Sequence, residues 1–284
     1  MPRITIEFYK PSVGGDNPQP FSNVLESIAQ MNPRQRVRGA PDPAGIFTLQ
    51  RNGDEFVGEA ARIRMEDLPR VANIGTGQRH DVDVQEREGL SEEIHFLYDS
   101  ALDVVAVQKR LHMRASALKE LISDLAESPL DFHIILRRDA WERFQQMGMV
   151  RKIYFKLARP QDLAGQRRPS LRRVLEEMDE FNGVSAKVQI SVERERNRGL
   201  NLDSVRELVA DFRARAGDFD ALSITGAIRG GDDEGSETVD FVTGRLQHTD
   251  EVPLRGRRLD PNGCRLALRR GLRAHRAYLH AYRE

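Results

Sequence analysis

The sequence predicts an α+β protein of two domains, and three observations carry that reading. Runs that alternate apolar and polar residues with a period of two are interleaved with runs spaced three and four apart, so strands and helices share one chain. The chain has 284 residues, enough for two ordinary domains, and Ser128-Pro129 interrupts it near the middle. Its last segment is a basic amphipathic helix with a composition unlike the rest. The expected organisation is an N-terminal domain over 1–128, combining a mixed sheet with helices, and a second sandwich of ferredoxin-like type over 129–248. A basic loop and C-terminal helix over 249–284 would pack on the body or on a dimer partner.

The elements follow in order. Ile4, Ile6 and Phe8 share one face of an opening strand; Val24, Leu25 and Ile28 mark a short helix after a Gly/Pro loop. Ile46–Gln50 and Glu55–Arg64 read as strands joined at Asn52-Gly53, a strong hairpin signal. Residues 66–89 are polar and show no period. Strands at Glu93–Tyr98 and Leu102–Gln108 precede a helix carrying Leu118, Leu121, Ile122 and Leu125. In the second half, Phe132, Ile134 and Leu136 alternate, Trp141 and Phe144 sit on a short helix, and Ile153, Phe155 and Leu157 form a strand. A helix striped by Leu171, Val174, Leu175, Met178 and Phe181 precedes the clearest period-2 run, Val184 to Val192. Leu202 to Phe212 gives another helix, and strands follow near Leu222–Ile224 and Val239–Val242.

Composition limits the function. Hydrophobic residues make up 39% and charged residues 31%, which suits a folded chain with a polar surface. No apolar stretch approaches the ~18–20 residues of a membrane span, so no membrane insertion is expected. Cys264 stands alone and cannot form an internal disulfide, which fits a cytoplasmic location. Catalytic patterns are missing. Gly75-Thr76-Gly77 has His80 where a dinucleotide loop needs its third glycine, and His275 and His280 are too far around a helix to share a metal. Asp179 with Glu193-Arg194-Glu195 resembles a nuclease constellation without its lysine, and guanidinium cannot substitute as a proton carrier. No catalytic residue, metal site or cofactor is assigned.

The charge pattern is more informative. The net charge is zero, yet the 44 basic residues divide into 38 Arg and 6 Lys, and Arg255 to Glu284 carries nine Arg against two acids. Leu268, Leu272, His275, Leu279 and Tyr282 form a docking or dimer seam with a heptad spacing, while Arg269, Arg273 and Arg276 repeat beside it. Arg255, Arg257, Arg258, Arg265 and Arg270 extend this cluster. Arg167, Arg168, Arg172 and Arg173 flank a second helix start, where free N–H groups already favour phosphate. These twelve arginines are the candidate contacts to double-stranded DNA, made through phosphates and without sequence readout. An acidic protein partner for an interaction module, or a divergent metal-dependent nuclease, is the alternative.

Phe96-Leu97-Tyr98-Asp99, a second strand through Val104–Val107 and then Ser116-x-Leu118-x-x-Leu121 resemble the central segment of RexA-type phage-exclusion proteins. The order of elements elsewhere is similar. The resemblance implies a non-enzymatic, homodimeric DNA-binding protein of an anti-phage or abortive-infection system, acting as sensor or clamp alongside a second defence protein.

Overall fold

A computed structural model describes residues 1–14, 19–158, 180, 185–192, 198–214, 219–228 and 236–282. The α+β class holds. The chain divides into two compact units, one formed by Met1–Asp131 with Gln247–Glu284 and the other by Phe132–Leu246. The C-terminal segment, read from the sequence as a separate piece, belongs to the first unit.

Unit 1 contains β1 (Arg3–Val13), α1 (Phe21–Gln30), β2 (Val37–Arg38), β3 (Ala44–Asn52), β4 (Glu55–Arg64), β5 (Val71–Ala72), β6 (Arg79–His80), β7 (Leu90–Asp99), β8 (Val104–Gln108) and α2 (Ala115–Ala126). β9 (Leu130–Ile134) leads out of it. After unit 2 the chain returns as β14 (Gln247–Glu251), the hairpin β15 (Leu254–Arg255) and β16 (Arg258–Leu259), and α5 (Pro261–Ala281). The main sheet runs β14-β1-β8-β7-β4-β3-β2, with β9 also pairing β1. Each pairing along that path is antiparallel. Antiparallel order follows from short connections such as Asn52-Gly53, which puts Asn52 opposite Glu55.

Period-2 alternation sorts the two faces. Ile94, Phe96 and Tyr98 turn to one side, where Tyr98 meets Phe21 of α1 edge-on at 4.9 Å. Ile4, Ile6, Phe8, Leu97, Val104 and Ala106 turn to the other and are buried. α5 packs there against β7, β8 and β14. Its entry is fixed by Asp260, whose carboxylate accepts from the Gly263 N–H at 2.8 Å, with Pro261 at the first helical position.

Unit 2 holds α3 (Arg138–Gln146), β10 (Met147–Ala158), β11 (Ser185–Ser191), α4 (Leu202–Ala214), β12 (Phe219–Ile228) and β13 (Ser236–Asp240). Its sheet runs β11-β10-β12-β13, every pairing antiparallel. β11 and β12, linked by α4, both run antiparallel to β10 and so parallel to each other with β10 between them, a split βαβ arrangement of the kind on which the expected ferredoxin-like sandwich is built. Val205, Val209 and Phe212 of α4 are buried, as are Ile153, Phe155, Leu222, Ile224 and Val239 of the sheet. Of the expected helix over 171–181, all but residue 180 lies outside the described residues. No described helix is long and apolar enough to cross a membrane.

Candidate functional site

The C-terminal helix uses its seam on its own body. Leu268, Leu272, Leu279 and Tyr282 are buried, and the half-buried His275 meets Phe8 edge-on at 5.5 Å and His248 at 5.7 Å. Burying three leucines is worth roughly 5–9 kcal/mol before ordering costs, enough to hold the helix down. The seam is therefore a docking seam, and any homodimer must use another surface.

The arginine stripe beside the seam is divided by the sheet beneath it. Arg269 Nε lies 2.7 Å from Glu55 of β4, and Arg270 Nε lies 2.6 Å from Asp250 of β14. Arg276 reaches to 3.7 Å from Asp99 of β7. Glu55 and Asp99 are direct cross-strand neighbours, so one end of the β4/β7 pair offers carboxylates to two arginines. Burial alone would raise the Asp250 carboxyl, but the Arg270 hydrogen bond, the Glu251 N–H and the Arg270 charge bring it below the usual range. Arg265 faces Glu59 and His95 electrostatically; burial and then the Glu93 charge raise Glu59, and Arg265 opposes them. Of the stripe, Arg273 is exposed and makes no ion pair among the described residues. The expectation of one outward polycationic face on this helix is thus corrected. Arg269 and Arg270 are engaged within the molecule, and Arg276 is loosely so, because period-2 alternation sets carboxylates on the face where the helix docks.

The hairpin before the helix behaves differently. Register places Arg255 directly opposite Arg258, leaving Gly256-Arg257 as a two-residue turn. Gly256 has φ +66° and Arg257 does not share the positive sign, which is the φ pattern of a type II′ turn. All three arginines are exposed. Arg258 comes only to 3.8 Å of Glu93, and Arg255 and Arg257 have no ion pair among the described residues. Like charges directly opposed across strands are unfavourable.

Further basic residues converge on this end of unit 1. Glu93 lies near the start of β7, where His112 also approaches Glu92 at 3.8 Å. The loop Lys109-Arg110-Leu111-His112-Met113-Arg114 leaves β8 there; Arg110 and Arg114 are exposed. Arg110 is close enough to perturb both His95 and Cys264. Burial first, then the charges of Arg265 and Arg110, hold His95 down at about 4. Exposed Leu111, Leu254 and Leu266 are interspersed with these arginines in the sequence. Arg110 and Arg114 were missed by sequence reasoning, although the Lys-Arg-Leu-His-Met-Arg run between strand and helix was a legible signal.

Arg167, Arg168, Arg172 and Arg173 lie outside the described residues. Among the described residues no group of three His, Cys, Asp or Glu is placed to hold a metal. The Cys264 thiol is buried and pushed up to about 11 by burial, so it is a poor nucleophile. A groove of about 320 Å³ beside Phe21, Tyr98 and Asp103 has its Tyr98 hydroxyl donating to Asp103 at 3.0 Å, with no histidine, cysteine or lysine in its lining.

No curated protein matches the chain. Residues 51–259 match the model of a family of unknown function, a stretch that takes in the arginine hairpin and stops before α5. By that match the chain belongs to the DUF6731 family.

Proposed function

We propose that this chain binds duplex DNA through the basic end of unit 1, gripping phosphates without reading sequence. One observation carries the reading: Arg255, Arg257 and Arg258 are held together on a tight turn, two of them directly opposed, and among the described residues their one ion pair is Arg258 to Glu93 at 3.8 Å. A polyanion relieves that repulsion and is matched by planar guanidinium forks. Arg110 and the half-buried Arg265 widen the surface, and Arg273 offers an outlying contact about 18 Å along the helix from its start. In this proposal the protein is non-enzymatic and cytoplasmic. The RexA-like pattern over Leu90–Leu125 supplies its context, phage exclusion or abortive infection with a second defence protein as partner.

The exposed leucines among the arginines favour a second reading, an acidic protein partner, since arginine beside apolar side chains is common at protein interfaces. Titrating the protein with duplexes of unrelated sequence at low and high salt separates the two. Similar affinity for each duplex and a steep loss with salt support the DNA reading. Absence of binding at low salt contradicts it.

A further inference from the structure

Residues 65–89 form an arm between β4 and β7 that no element of the proposed contact surface includes. Every residue from Pro69 to Asp81 is exposed, so the arm stands clear of the body. Its two short strands pair Val71 with His80 and Ala72 with Arg79. The ladder continues through the Asn73 N–H, which donates to the Gln78 carbonyl at 2.8 Å. The tip is closed by the Gly77 N–H on the Asn73 carbonyl at 2.8 Å and by the Asn73 side-chain oxygen, which accepts from the N–H groups of Gly75 and Thr76. Gly77 takes φ +68°, a value that suits glycine. This bonded turn holds Ile74 fully exposed at the tip.

Charge along the arm is graded. From Val71 to Gln78 there is no charged side chain, while Arg70 and Arg79 flank that stretch. The acids sit toward the base, where Asp67 pairs with Arg64 and Asp81 with Arg70, each at 2.9 Å. The arm also grows from the basic end: it joins β4 at Arg64 and β7 at Leu90, which are cross-strand partners, and Arg258 reaches Glu93 three residues further along. Four extended residues from Arg70 to Ile74 span about 13 Å, which exceeds the ~7.5 Å depth of a minor groove.

We propose that Ile74 is a wedge that enters the minor groove and unstacks a base step of the duplex held by the arginine hairpin, so that binding bends the DNA. The inference rests on the DNA reading above. An apolar tip, amide side chains at Asn73 and Gln78 and flanking arginines are the chemistry of minor-groove wedges, and such insertion kinks a duplex by ~20–90°.

The test uses the full chain and a duplex of about 30 base pairs with a central TA step, which unstacks easily, labelled at both ends. Fluorescence anisotropy reads affinity and energy transfer between the ends reads bending. The wild type should shorten the end-to-end distance. Ile74→Ala, whose site lies outside the core and whose melting should match the wild type, should keep affinity within about threefold while energy transfer returns toward the free-duplex value. An Ile74→Ala protein that bends DNA as the wild type does overturns the wedge and leaves the DNA reading standing. Wild-type affinity in Arg255→Glu/Arg257→Glu/Arg258→Glu overturns the reading of the hairpin as the grip. Ile74-dependent sedimentation with phosphatidylserine vesicles, without DNA binding, overturns both in favour of a lipid surface.

Discussion

Helix α5 and the hairpin that precedes it are both rich in arginine and adjacent in sequence, yet the fold uses them in opposite ways. On the helix, Arg269 and Arg270 meet Glu55 and Asp250 at 2.7 and 2.6 Å and fasten an apolar seam to the sheet. On the hairpin, Arg255 and Arg257 meet no carboxylate among the described residues. The difference lies in what is beneath each: a helix crossing a sheet face is met by every second residue of several strands, whereas a two-residue turn projects past them. A local run of positive charge therefore marks a polyanion surface only where the tertiary fold leaves it unanswered.

The comparison can be broken most severely at the hairpin. Arg255→Glu/Arg257→Glu/Arg258→Glu should weaken duplex binding by roughly 100-fold or more in a gel-retardation titration, since the three proposed phosphate contacts would become repulsions. Its melting temperature should change little. On the helix side, Leu272→Ala should cost about 2–5 kcal/mol in a urea titration, because a buried seam residue leaves a cavity against the sheet. Next in size is Arg269→Gln/Arg270→Gln. These partly exposed pairs are worth about 1–2 kcal/mol together, so unfolding should shift by that amount while duplex affinity stays within about twofold.

A pH dependence sharpens the helix side further. His95 titrates at about 4 when folded and near its ordinary 6.5 when unfolded, so the unfolded chain binds more protons between those values. Its contribution is complete above about pH 6.5, declines as pH falls toward 4 and is constant below. The loss is on the order of 3 kcal/mol at most. His95→Gln should flatten that part of the urea-midpoint profile. The depressed Asp250 carboxyl contributes separately, and its stabilisation is lost only at lower pH.

Much of the framework was legible because periodicity is local. The α5 seam followed from the spacing of Leu268, Leu272 and Leu279, and the β3–β4 hairpin followed from Asn52-Gly53. β14 was not foreseen: Gln-His-Thr-Asp-Glu has no apolar face, and it is a strand because β1 offers it a ladder. Strand order in unit 2 was not legible, since it depends on pairing, which periodicity does not encode. The partners of the helix arginines were invisible for the same reason, Glu55 being 214 residues from Arg269. The arm over 65–89 showed no period because most of it is exposed, and without a core face nothing selects one.

The measurement that bears most directly on the unanswered hairpin arginines is the slope of log affinity against log salt for one duplex. It would be taken with wild type, Arg255→Gln/Arg257→Gln/Arg258→Gln and Arg269→Gln/Arg270→Gln/Arg276→Gln. Removing the hairpin contacts should reduce the magnitude of the slope by about three, and removing the helix arginines should leave it nearly unchanged. A slope that falls for the helix variant and holds for the hairpin variant would contradict the account.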